Sequence, residues 1–269
     1  MPAPVCPYCA FRRAWKLRRN KLKCRRCRRE WSGHAAPVEG IRSTEAEWRK
    51  CIRVFLRERT IKRIVEETGI PHSRVERMAL HLRTVMTADQ PAVLPGPIEM
   101  DETYIGGQRK NKRLHIRRLE TKRGHGTDKL PIFGLFSRTS GQVYVAILPK
   151  KLDWRTIFST IERLVPEGAY VYTDGFKTYR GLKKRGYRHE YVDHDGGELV
   201  RGDVHTNNIE GFWGLLKRRL GCIGGMRRTH LYLFVGEIAW KFNRRTKTLA
   251  EQEERLLTLV QGTGFGGRN

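Results

Sequence analysis

Residues 205–220, HTNNIEGFWGLLKRRL, repeat an apolar side chain every three or four positions: Ile209, Phe212, Trp213, Leu216 and Leu220. That spacing predicts a helix with one buried stripe. Thr206 or Asn207 stands where a cap belongs. Glu210 lies in the first turn, and Lys217, Arg218 and Arg219 gather at the far end, as the helix dipole favours. An ordinary amphipathic helix accounts for that much, but not for two further features. Glu210 and Lys217 are seven residues apart, so they share one face two turns apart. Two upstream segments also each bring an aspartate to what reads as a strand: Asp101 within 98–105, and Asp174 at the end of 169–173. Three carboxylates from separated segments are what a two-metal phosphoryl-transfer site requires.

The charge balance points the same way. The 269 residues hold 54 Lys and Arg against 28 Asp and Glu, a net charge of +26. Such a surplus implies a polyanionic partner, with nucleic acid first and an anionic membrane surface as its rival. No apolar run approaches the roughly 18 residues of a membrane span, and no signal-peptide pattern opens the chain. A cytoplasmic, nucleoid-associated protein that does not engage a membrane is expected. A hydrophobic fraction of 39% supports a core, and the length suits one large domain with small appendages.

Towards the N-terminus, Cys6-Pro-Tyr-Cys9 and Cys24-Arg-Arg-Cys27 form two CxxC pairs separated by residues 10–23. Four thiolates so spaced suit a compact zinc ribbon, with chance pairs or redox thiols as the alternative. So short a segment has too little core to fold without metal. Arg12, Arg13, Arg18, Arg19, Arg25 and Arg26 crowd around it, with Tyr8, Trp15 and Trp31 interleaved. They are expected to meet DNA phosphates rather than only solvent. Residues 44–58 pattern a helix around Trp48, Ile52, Phe55 and Leu56, in which Cys51 is expected as a buried thiol. Residues 60–86 then give helix, Gly69 turn and a second helix that begins at Pro71. This is a helix-turn-helix pattern with His72, Ser73, Arg74 and Arg77 at the exposed start of the second helix. A generic helical pair is the alternative.

Residues 87–97, TADQPAVLPGP, read as a linker. Beyond them come strands at 98–105, 130–137 and 141–148, a helix at 153–165, a strand at 169–173, a short helical piece at 179–182 and a further strand at 187–192. The helix at 205–220 follows, and two more lie at 230–242 and 248–260. Strands followed by alternating strand and helix predict a mixed α/β sheet. In such sheets functional groups gather at strand ends and helix starts, so Asp101, Asp174 and Glu210 can converge. Hard oxygen ligands of this kind suit Mg²⁺ or Mn²⁺. Lys217 would then reach the DNA backbone, with Arg218 beside it.

The stretches MDETYIGG, YTDGFKTYRGL, HTNNIEGFWGLLKRRLG and FNRR resemble a DDE insertion-sequence transposase of the insertion-sequence fifteen-ninety-five group. The resemblance runs through nearly the whole chain. It implies a zinc ribbon over 1–36, a helix-turn-helix DNA-binding unit over 41–88, a linker over 89–97, an RNase H-like catalytic domain over 98–246, and a C-terminal helix with a flexible tail over 247–269. It further implies a transposase of a bacterial or archaeal insertion sequence. Such an enzyme binds terminal inverted repeats, nicks the transposon ends and joins the freed 3′-hydroxyls to target DNA, acting as a dimer or larger assembly on paired ends. By that match Asp101, Asp174 and Glu210 are the catalytic acids and magnesium ligands, and Lys217 is the associated base. Asn207 or Asn208 is the alternative third position; Glu102 and Glu237 are weaker candidates, and His205 is expected to cap or pack. Two rivals differ in what they require. A DNA-binding regulator with an inert C-terminal domain would need no three-acid set, and a junction resolvase would cut without joining.

Overall fold

The computed structural model describes residues 13–17, 21–28, 30–32, 40–58, 60–106, 129–148, 154–174, 177–192, 202, 204–223 and 228–263. Cys6, Cys9, Arg12, Arg18, Arg19, most of the basic segment after Gly107 and the glycine-rich tail lie outside them. The chain divides into two compact units: Met1–Met86 with Thr246–Asn269, and Thr87–Arg245.

The first unit opens with three short antiparallel strands, β1 (Ala14–Lys16), β2 (Lys21–Cys24) and β3 (Glu30–Ser32), in that order. Three helices follow, α1 (Glu45–Leu56), α2 (Ile61–Thr68) and α3 (His72–Ala88). Helix α1 begins at a reciprocal capping box. Glu47 N–H donates to Thr44 Oγ1 at 3.2 Å, and Thr44 N–H donates to Glu47 Oε2 at 2.8 Å, which satisfies two of the helix's orphan donors. Helix α2 stops where Gly69 takes a φ of +70°, a left-handed value that glycine adopts without strain. Trp48, Ile52, Ile64, Val75, Met78 and Leu82 are wholly enclosed. So is Cys51, whose burial pushes its thiol up to about 12. The last helix, α7 (Leu249–Thr263), belongs to this unit rather than standing apart as a C-terminal appendage. It lies along α1 and pairs Glu254 with Arg49 at 2.8 Å and Glu253 with Arg53 at 3.1 Å.

The second unit is a five-stranded mixed sheet with helices on both faces. Its strands are β4 (Ile98–Ile105), β5 (Leu130–Ser137), β6 (Val143–Ile147), β7 (Tyr170–Asp174) and β8 (Arg188–Val192), in the spatial order β6-β5-β4-β7-β8. The β4–β5 and β5–β6 pairs are antiparallel; β4–β7 and β7–β8 are parallel. Strand β5, between two neighbours and covered on both faces, is almost wholly buried, which explains its continuous apolar run.

Side-chain alternation divides β4 between the two faces. Ile98 and Met100 join Phe133, Leu135 and Val171 beneath α4 (Trp154–Leu164) and a 3-10 helix (Lys177–Arg185). Glu99 and Asp101 face the other side, where α5 (Asn207–Gly221) and α6 (Leu231–Asn243) pack on Ile132, Phe136, Val143 and Val145. The α5 stripe of Ile209, Phe212, Trp213, Leu216 and Leu220 is buried as its spacing predicts. Each such side chain contributes about 1.5–3 kcal/mol of transfer free energy.

Residues 89–97, expected as a linker, are built into this unit. Leu94 is fully enclosed, and its N–H donates to the Leu164 carbonyl at 2.7 Å. Gln90 exchanges two hydrogen bonds of 3.1 Å with the backbone of Val145, and Asn243 does the same with Val143 at 2.7 and 2.8 Å. The outer edge of β6 is thus satisfied by side-chain amides instead of another strand, one way of blunting a sheet edge. Asp89 accepts from Trp240 Nε1 at 2.8 Å and Arg244 at 2.6 Å. The prolines stiffen the segment, but its Leu94, Gln90 and Asp89 side chains pin it down.

Leu94→Ala is therefore expected to destabilise the protein by about 2–5 kcal/mol, the usual range for emptying a buried leucine site. Denaturant unfolding measures this; a linker position would change stability by less than about 0.5 kcal/mol.

Candidate active site

The parallel β4–β7 ladder ends at the pair Met100–Thr173. The next residue on each strand is an aspartate, Asp101 and Asp174, so two carboxylates stand side by side at the same end of neighbouring strands. Both point to the face covered by α5. Asp101 Oδ2 accepts the indole N–H of Trp213 at 2.9 Å. The indole has room there because the residue opposite Asp101 on β5 is Gly134. A Cβ at Gly134 would lie 2.5 Å from the Trp213 ring and 3.0 Å from Ile209 Cδ1. A glycine inside a strand often marks such a close approach.

Glu210 lies on the exposed side of α5, near its start. Thr206 Oγ1 donates to Glu210 Oε1 at 2.7 Å. Thr206 holds the N-cap position but makes no side-chain cap bond, contrary to what the sequence suggests. The capping acceptor is Glu99, whose Oε2 accepts the N–H groups of Asn208 at 2.9 Å and Ile209 at 3.0 Å. A residue more than a hundred positions upstream is invisible to a local capping pattern.

Burial chiefly, then the charge of Asp174 and lastly that of Glu210, push the Asp101 carboxyl up to about 6 from an ordinary 3.8; the Glu102 amide and Trp213 oppose this. Asp101 therefore feels the charge of both other acids. Glu102 points to the opposite face of β4 and accepts a hydrogen bond from the Tyr179 hydroxyl. Burial, Asp174 and Asp101 push it up to about 8. Carboxylate oxygens on Asp101, Asp174 and Glu210 are the donor set that hard divalent ions take. Among the described residues no three His, Cys, Asp or Glu side chains stand close enough together to hold a metal ion as they are placed.

The other sequence candidates fall as follows. Lys217 and Arg218 are exposed on α5, with Lys217 on the same face as Glu210. Asn207 is exposed, whereas Asn208 Nδ2 donates to Glu99 Oε1 at 2.7 Å. Glu237 pairs with Lys241 at 2.7 Å. His205 Nδ1 lies 3.0 Å from Arg138 Nη2, and Asn207 N–H donates to it at 3.4 Å, a local capping contact.

In the first unit, Cys24 Sγ accepts from the amides of Arg26 at 3.3 Å and Cys27 at 3.4 Å. Arg13, Arg25 and Arg26 are exposed, and the Arg25 and Arg28 guanidinium groups lie 5.5 and 4.8 Å from the Trp15 ring centre. Arg74 is held by Glu47 at 2.9 Å and Arg77 by the Gly40 carbonyl at 2.9 Å, so both guanidinium groups already have partners within the unit. Among the described residues no helix is long and apolar enough to cross a membrane. The sequence carries no sign of the parts that Glu99, Arg138 and Gly134 play and shows Trp213 only as a member of the apolar stripe, although a lone glycine in the apolar run of β5 is a usable signal.

Residues 93–243 match the ISXO2-like transposase domain, and the chain belongs to that family of insertion-sequence DDE transposases. It is 31% identical over 218 residues to an uncharacterised protein in transposable element ISH50 of Halobacterium salinarum, covering 77% of this chain and 73% of the relative. It is 28% identical over 122 residues to an uncharacterised transposase-like protein of Haemophilus influenzae, covering 45% of this chain and 96% of the relative. Among solved structures, it is similar to the HTLV-2 integrase catalytic core domain in complex with magnesium, with a TM-score of 0.32, 13% identity, and coverage of 57% of this chain and 86% of the other.

The raised carboxyls contribute to the pH dependence of the metal-free protein. A carboxyl whose folded value exceeds its unfolded one stabilises the fold at low pH and loses that contribution as pH rises through the folded value. In EDTA, the Asp101 contribution falls away as pH rises from about 4 through about 6, but burial holds His189 down at about 4 and acts in the opposite sense over that range, so the net decline is expected from about 6 through about 8, from Glu102. Glu102→Gln should flatten that decline. Melting temperature against pH, with and without Mn²⁺, measures it.

Proposed function

We propose that the chain is the DNA transposase of an insertion sequence, and that Asp101, Asp174 and Glu210 form its phosphoryl-transfer centre in an RNase H-like catalytic domain. The observation that carries this reading is the adjacency of Asp101 and Asp174 at the end of the parallel β4–β7 ladder, with Asp101 raised by burial first and then by the charges of both other acids. The strand order and the mixed β4 pairings support the fold assignment.

The three carboxylates would hold Mg²⁺ or Mn²⁺. Bound there, the ions would supply Lewis-acid stabilisation of an attacking oxygen and of the leaving 3′ oxygen. The protein's own groups do the rest. Trp213 and the Glu102 amide fix the rotamer of Asp101, and Thr206 steers Glu210 through its hydroxyl. Lys217, on the Glu210 face, binds the phosphate backbone beside the scissile bond, and Arg218 extends that contact. In cleavage, water forms a bond to phosphorus as the bond to the 3′ oxygen breaks. In joining, the freed 3′-hydroxyl attacks a target phosphodiester and one P–O bond replaces another.

The first unit serves as the end-binding part. Cys6, Cys9, Cys24 and Cys27 are proposed to hold one Zn²⁺, supported by the two amides aimed at Cys24 Sγ. Arg13, Arg25 and Arg26, with Arg12, Arg18 and Arg19, meet phosphates. The α2–α3 pair acts as a helix-turn-helix on the terminal repeats, where Arg74 and Arg77 must exchange their internal partners for DNA. Two transposon ends call for at least two copies of the chain. Glu210 is preferred over Asn207 or Asn208 as the third ligand because Asn208 is engaged by Glu99.

Cleavage and joining on labelled DNA carrying the element's own ends, with Mg²⁺ or Mn²⁺, test this directly. Asp101→Asn, Asp174→Asn and Glu210→Gln should each bind the ends and lose far more than the about 10- to 100-fold that loss of an outer-shell partner costs. Joining that survives in all three would sink the proposal. Cutting without joining by the wild type would favour a resolvase.

A further inference from the structure

We infer that Glu99 is a positioning residue for the acidic centre: from the strand that carries Asp101, it grips the start of the helix that carries Glu210 and so sets where the third acid stands. The inference rests on the three-acid reading above.

Glu99 is fully enclosed, with 0% of it exposed. A carboxylate so buried needs its oxygens paired, and its partners share a location. Oε2 accepts the backbone N–H groups of Asn208 and Ile209; Oε1 accepts Asn208 Nδ2 at 2.7 Å and Arg138 Nε at 2.7 Å. Arg138 follows the end of β5 and continues the grip. Its Nη2 donates to the His205 carbonyl at 2.8 Å, and its guanidinium carbon lies 4.5 Å from the ring centre of Tyr172 on β7. Strands β4, β5 and β7 are thereby tied to residues 205–209.

The connections on both sides are short. Glu99 and Asp101 are two residues apart on one face of β4. Asn208 and Ile209 are the two residues before Glu210. No flexible segment lies between the anchor and either acid, so a shift at the anchor is transmitted to the gap between them. The Thr206 hydroxyl that would otherwise cap α5 is thereby left to steer Glu210. A buried carboxylate–arginine pair that only held the fold together would have no need to reach the helix start beside a functional acid, and its loss would be felt in stability alone.

The test uses the full-length protein and two readouts, the Mn²⁺ concentration that half-saturates DNA cleavage and the Mn²⁺-induced rise in melting temperature without DNA. Glu99→Gln should raise half-saturating Mn²⁺ by about 10- to 100-fold, the usual effect of losing an outer-shell partner, and shrink the thermal shift. The maximal rate at saturating metal should fall less. Arg138→Lys, which keeps the charge but loses the fork, should move both readouts the same way by a smaller factor. If Glu99→Gln does not fold, Arg138→Lys and Asn208→Ala, the latter at an exposed position, decide by the same readouts. Variants that melt earlier yet keep wild-type half-saturation and thermal shift would overturn the inference. Asp101→Asn and Glu210→Gln run alongside; if they remain active, the three-acid reading itself fails.

Discussion

Everything around the acidic centre depends on one strand face holding two carboxylates with opposite fates. On β4, Glu99 is wholly enclosed and accepts hydrogen bonds from Asn208, Ile209 and Arg138. Two residues on, Asp101 stands beside Asp174 at the end of the parallel ladder, where burial and the neighbouring acids raise its carboxyl despite hydrogen bonds from Trp213 and the Glu102 amide. A buried acid satisfied by the protein acts as an anchor, whereas one crowded by like charges is poised for a cation. The alternation of a strand places both on the α5 side, while Ile98 and Met100 serve the opposite core.

The same sheet explains several residues with no chemical part. Gly134 leaves space for the Trp213 indole, and the indole in turn holds Asp101. Asn243 and Gln90 close the β6 edge with their amides. In the FNRR run, Asn243 serves the sheet edge, Arg244 binds Asp89, and Arg245 donates to the Gly141 carbonyl at 2.8 Å. That run therefore contributes to the architecture around the centre.

Periodic features were legible in the sequence. The α5 stripe and the β4 and β7 segments each follow from spacings within a few residues, so local rules suffice. Long-range partners were not legible. Nothing near Thr206 signals that Glu99 caps α5, nor does proline content reveal that Leu94 is core. The position of α7 was also hidden, because its pairing with α1 joins residues some two hundred positions apart. In all three cases a partner distant in sequence satisfies a group that local chemistry would satisfy differently.

The convergence of Asp101, Asp174 and Glu210 on a shared metal is tested most directly by iron(II)-directed hydroxyl-radical cleavage of the polypeptide, without DNA. Radicals generated at a bound ion cut only the backbone near it. Cuts clustered around residues 101, 174 and 210, abolished by Asp101→Asn and competed away by Mg²⁺, are expected. Cuts elsewhere, or a pattern unchanged in Asp101→Asn, would contradict a common metal site built from these three carboxylates.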